Sequence, residues 1–183
     1  MALNKGYLTA STNRESDEKY TPFYAVEPLL QYLDKTKTIW CPFDTDQSAF
    51  VVLLKERGYK VIHSHIFDGK DFFEYEPKHY DIIISNPPFS LKDQVIERVY
   101  KLNKPFALLL PTNTLQGQKR FDYFKQGLQL LSFDKRINYH NPKSMVTTVK
   151  GVAFSSSYFC KDLLPSNLEL QVLKPYERAL KDD

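Results

Sequence analysis

A chain of 183 residues, 42% hydrophobic and 14% aromatic, carries enough apolar side chain for one sizeable core and reads as one globular domain. Its net charge of +3 permits a phosphate-rich partner without requiring one. No apolar run reaches the eighteen or so residues of a membrane span, the polar opening "MALNKGYLTASTNRESDEKY" is no signal peptide, and Cys41 and Cys160 form neither a disulfide framework nor a zinc pair, so a soluble, cytoplasmic protein with no membrane partner is expected.

Residues 1–19 lack apolar periodicity and read as a flexible arm ahead of a single domain spanning 20–183. Phe23, Val26, Leu29, Leu30 and Leu33 then recur at helical spacing, with Thr21 as N-cap and Pro22 at the first helical position. Pro28 falls inside this helix and is expected to kink or split it. "TIWCPFD" is a short strand ending at Pro42, and "DQSAFVVLLKERGY" a helix stopped by Gly58. "KVIHSHIF" is a second strand, "DGKDFFEYEPKH" a loop or irregular helix, and "YDIIIS" a third strand too apolar to have a solvent face. "SLKDQVIERVYKLN" is an amphipathic helix and "KPFALLLPTNTL" another buried strand.

This alternation predicts an α/β, doubly wound, mostly parallel sheet covered on both faces. Past a helix in "QKRFDYFKQGL", the runs "LQLLSFDKRI" and "VAFSSSYFC" predict an antiparallel edge hairpin near the C-terminus, joined by the polar loop "NYHNPKSMVTTVKG". In such sheets ligands bind at the carboxyl ends of the strands, where strand order reverses. "SNPPF" stands at one of those ends.

Asn86 offers a side-chain carbonyl and Pro87 a main-chain carbonyl, two acceptors able to hold both hydrogens of an NH2 group. Drawing on both hydrogens leaves the nitrogen lone pair more available as a nucleophile. The prolines, Pro87 and Pro88, stiffen the acceptors, and Phe89 supplies a plane for a flat base. The bland alternative is a strand stop, with Asn86 bonding its own turn. At about 5% per residue type, however, a given four-residue word arises by chance in roughly one chain in a thousand of this size.

"DIIISNPPF" resembles the catalytic motif of the Rossmann-like, class I S-adenosylmethionine-dependent methyltransferases that modify amino nitrogens, chiefly the N6-adenine enzymes. The resemblance spans about residues 20–160. It implies S-adenosylmethionine as cofactor, nucleic acid as partner with DNA favoured over RNA, and Asn86, Pro87, Pro88 and Phe89 as catalytic residues. "YTP" resembles the segment that borders the cofactor, which implicates Tyr20, Thr21 and Pro22. "KDFF" resembles the pair that contacts the cofactor adenine, Asp71 at its amine and Phe72 at its ring. "RINYHNP" resembles a late motif beside the target base, which makes Tyr139 a stacking candidate.

The chain departs from that pattern in three places. The loop after the first strand, "CPFDTDQSAF", contains no glycine, so cofactor contact there falls to Cys41, Pro42 and Asp44. Asp44 either pairs with the cofactor ammonium or, with Asp46, caps the following helix. His65 replaces the acidic residue expected to grip the ribose hydroxyls. His63 and His65 share a strand face but lack a third ligand, and no metal site is assigned. The tail is too short to read several base pairs, so recognition is loose, directed at structured RNA, or borrowed from a homo-oligomer mate or partner chain. Lys143 and Lys150, in a basic segment with interspersed aromatics, are the nucleic-acid contact candidates. Methylation of a protein glutamine and a cofactor-free binding module stand as alternatives.

Overall fold

The computed structural model describes residues 20–141, 144–148 and 153–178. The first helix, α1 (Phe23–Val26), lasts one turn and passes at once into a 3-10 segment, Glu27–Tyr32. Pro28 lies in that segment's first turn, where its missing N–H costs nothing to the tighter winding but cannot extend α1. Pro22 is extended and caps α1, one residue earlier than its expected helical place.

The chain continues through β1 (Thr38–Pro42), α2 (Ala49–Glu56), β2 (Lys60–Ser64), β3 (Ile82–Ser85), α3 (Lys92–Leu102), β4 (Phe106–Pro111), α4 (Gln118–Phe124) and β5 (Gln129–Phe133). A short pair, β6 (His140–Asn141) and β7 (Ser144–Thr148), follows in the polar loop, and then β8 (Ser156–Lys161) and β9 (Leu168–Gln171). Seven strands form one sheet in the order β2-β1-β3-β4-β8-β5-β9. β2, β1, β3 and β4 run parallel, β8 is antiparallel to both neighbours, and β5 pairs parallel with β9. The molecule is therefore a doubly wound, mostly parallel, Rossmann-like α/β fold containing the antiparallel β5/β8 pair. β8 is interposed between β4 and β5, and β9, drawn from the short tail, forms the edge.

Parity along the central strands sorts the core into two layers. Ile82, Ile84, Ala107 and Leu109 pack with α1 and α2, whereas Ile83, Leu108 and Leu110 pack with Val95, Ile96 and Val99 of α3. Apolar groups on both parities are what two covered faces demand. Trp40 is wholly buried in the second layer, with its indole N–H donating to Ser64 Oγ at 3.0 Å. Among the described residues no helix is long and apolar enough to cross a membrane.

Candidate active site at the strand crossover

Strand order reverses at β1: the chain moves outward to β2 and returns on the other side as β3. The carboxyl ends of β1 and β3 therefore meet, at Pro42 and Ser85, with no crossover connection over them. Ser85 is wholly buried, and its hydroxyl lies in hydrogen-bonding contact with the Pro42 carbonyl and, at 2.6 Å, with Asp44 Oδ2. Asn86 follows directly, half-buried, with its Oδ1 shielded from solvent.

Asp44 is only 6% exposed and also faces the Ser48 hydroxyl. Burial pushes its carboxyl up to about 7, against the lowering effect of the two hydroxyls. It caps no helix: Ser48 is the N-cap residue of α2, and Ser48 Oγ accepts instead from the Thr45 N–H at 2.9 Å. Of the two uses open to Asp44 in the sequence, capping is overturned.

The glycine-free loop turns at Phe43, which adopts φ +66°. That left-handed conformation is where glycine would ordinarily stand, and it costs a non-glycine residue roughly 1–2 kcal/mol. The Phe43 ring is held by Phe72 at 4.8 Å and Phe73 at 6.5 Å between centroids. Packing thus maintains a turn that sequence alone makes improbable.

Pro87 is buried, and Pro88, extended at φ −54° and ψ 125°, leads into a 3-10 turn, Phe89–Leu91, that continues directly into α3. The Phe89 ring meets the edges of Tyr139 at 6.3 Å and Phe154 at 5.6 Å. The segment at Tyr20 closes against the same region, since the His140 N–H donates to the Tyr20 carbonyl at 2.9 Å. Thr21 and Pro22 lie buried behind it. At the end of β2, His65 Nδ1 accepts from the Phe67 N–H at 3.2 Å, so any ligand contact by this histidine falls to Nε2. Asp71 spends Oδ1 on its own turn, accepting from the Phe73 N–H at 2.9 Å.

Three assignments need correction. Cys41 points into the core with α1 and α2, its thiol pushed up by burial, so it borders the crossover only through its main chain. Phe72 is 2% exposed, sandwiched among Trp40, Phe43 and the Arg98 guanidinium, and presents no ring to a cofactor. Tyr139 is 1% exposed with its hydroxyl donating to Ser156 Oγ at 2.8 Å, so it backs Phe89 instead of stacking on a base. Lys143 and Lys150 lie outside the described residues, as does the arm at 1–19. Among the described residues no three of His, Cys, Asp and Glu gather as a metal site.

Sequence reasoning missed Ser85, Phe43, Phe73 and Phe154. Ser85 was legible as the last residue of the strand before Asn86. Phe43 and Phe73 stood beside residues already singled out, while nothing near Phe154 in the sequence signals its approach to Phe89.

No family model matches the chain, and no curated protein does. Among solved structures it is similar to a protein from Listeria monocytogenes assigned to the class I S-adenosylmethionine-dependent methyltransferases, with 13% identity and a TM-score of 0.45. That similarity covers 84% of this chain and 65% of the other, so the chain spans just under two thirds of that protein's length.

Proposed function

We propose that the protein is an S-adenosylmethionine-dependent methyltransferase that modifies the exocyclic N6 amine of adenine in nucleic acid, DNA in preference to RNA. The observation that carries this reading is the position of "NPPF": its Asn86 directly follows β3, the strand that meets β1 on the side where the order reverses, with Ser85 touching the Pro42 carbonyl.

The donor set suits the cofactor. Asp44 is an acid that a cationic group would ionise, His65 can bond a ribose hydroxyl, and Asp71 lies in the loop beyond β2. The cofactor supplies a methyl group on a positively charged sulfur, which needs no metal to be transferred. Asn86 and the Pro87 carbonyl accept from the target amine and orient its lone pair. Phe89, held from behind by Tyr139 and Phe154, gives the base a rigid wall. A duplex target must first release the base from its stack, which costs a few kcal/mol.

Labelled S-adenosylmethionine offered with DNA, RNA and protein tests the assignment. Label recovered as N6-methyladenine in DNA is the expected result, and Asn86→Ala lowers turnover by roughly 10²–10³-fold while cofactor affinity stays within a few-fold. Label on a protein glutamine moves the substrate to another class. Unchanged turnover in Asn86→Ala discards the catalytic role.

A further inference from the structure

The contacts around Ser85 are better satisfied by a protonated Asp44 than by an ionised one. A serine hydroxyl carries one hydrogen, yet Ser85 Oγ sits in hydrogen-bonding contact with two acceptors, the Pro42 carbonyl and Asp44 Oδ2. With Asp44 ionised, Ser85 would have to share its single hydrogen between the two acceptors in a three-centre bond, a weaker arrangement than two full bonds. A proton on Asp44 resolves this: the acid donates to Ser85 Oγ, and Ser85 donates to Pro42.

The surroundings agree. Ser48, ahead of α2, faces the acid with a hydroxyl. The titratable groups within electrostatic reach are Cys41 on β1 and Tyr158 on β8, both kept protonated by burial. Lys55 of α2 is felt by Cys41, but among the described residues no lysine or arginine is paired with the Asp44 carboxyl. A buried acid without a cation, at the place where an α/β sheet binds its ligand, lacks the partner that would charge it.

We propose that Asp44 is the proton-exchanging acid of the ligand site, neutral in the free protein and ionised when a positively charged ligand group settles beside it, so that binding releases one proton to the solvent. The proposal rests on the reading of this crossover as the cofactor's seat and assigns the acid to the cationic part of that cofactor. The O–H bond of the carboxylic acid breaks, the carboxylate keeps the electron pair, and the buffer takes the proton. Opposite charge within about 4–6 Å is sufficient to drive this change.

Calorimetric titration of the whole chain with S-adenosylmethionine at pH 6.5, in buffers of differing ionisation enthalpy, reads the proton directly. Up to about one proton released per site is expected, and the dissociation constant should weaken up to about tenfold for each pH unit below 7. Asp44→Asn is nearly isosteric, retains a donor toward Ser85, and should bind with a flat pH profile and no linked proton. Binding without proton exchange, or with the same exchange in Asp44→Asn, overturns this inference and leaves the transferase reading standing. Absence of binding overturns both. A carboxyl carbon resonance of Asp44 that titrates in the ordinary aspartate range in the free protein overturns it independently of any ligand.

Discussion

Asp44 also has a consequence for stability that is independent of any ligand. Its folded value near 7 lies above the ordinary 3.8, so the fold prefers the neutral acid. The penalty is therefore absent below the unfolded carboxylate range, grows as pH rises from about 4 to about 7, and is complete above that, at on the order of 4 kcal/mol. Asn at this position cannot ionise, so Asp44→Asn should stabilise the protein at pH 8 and leave it nearly unchanged at pH 4. Urea denaturation at the two pH values checks this, and equal effects at both would place the charge change elsewhere. Phe43 makes a second, separable case. At φ +66° an alanine keeps the backbone strain and loses the ring, whereas a glycine loses the ring but also the strain. Both variants should be less stable than the parent, because the contacts to Phe72 and Phe73 vanish, and Phe43→Gly should exceed Phe43→Ala by about 1 kcal/mol. Parity between the two in thermal melts would mean that the turn relaxes once the ring has gone.

At the level of elements, the loop after β4 is fastened to the first turn of α3 through one buried side chain. Arg120 on α4 donates to the Thr114 carbonyl at 2.8 Å and to the Gln116 carbonyl at 2.5 Å, and it pairs with Asp93 just beyond "NPPFSL". Gly117 is required beside it, since a Cβ there would sit 2.2 Å from a guanidinium nitrogen already pinned by these bonds. Arg120→Ala strands two main-chain acceptors and should cost about 2–4 kcal/mol, with Arg120→Lys intermediate; a shift of the urea midpoint at constant slope measures it. None of this tie was legible in "QKRFDYF", because hydrogen bonding to loop carbonyls leaves no periodic mark. The central strands were legible for the opposite reason: β1, β3 and β4 are covered on both faces and are apolar at nearly every position, which is a pattern visible along the chain. Pro28 was legible through its missing N–H, which bars continuation of an α-helix. The partners of β8 were not, since its apolar residues suit β4 and β5 alike and a hairpin reading pairs it with β5 alone. β9 alternates half-buried with exposed positions and so resembled a tail. The same limit explains the misplaced site residues. Cys41 belongs to the α1/α2 layer and Trp40 to the α3 layer, so one step of parity decides whether a residue near the end of β1 meets the ligand or the core, and a motif resemblance does not report that step.

For the whole molecule, the net charge of +3 is too small to steer a polyanion by its overall field, so any affinity for nucleic acid has to come from particular cations close to phosphates. Several of the described cations are committed elsewhere: Arg57 and Arg178 pair with Glu27 and Glu56, Lys101 with Glu97, Arg120 with Asp93. Lys143 and Lys150 belong to the polar loop that begins at Asn138, and the main chain of that loop reaches Tyr20 through His140 on the side of the molecule where Phe89 lies. If these two lysines contact phosphates, each releases close to one condensed counterion, and the logarithm of affinity falls against the logarithm of salt with a slope of about −0.9 per contact on duplex DNA. Reversing both charges should then weaken binding and flatten that slope by about two, without altering the adenine preference, because phosphate contacts position the strand and do not read bases. Fluorescence anisotropy with a labelled duplex over a range of salt concentrations measures the slope directly. An unchanged slope with Lys143→Glu and Lys150→Glu combined would remove these two lysines from the nucleic-acid surface and assign phosphate contact to other cations.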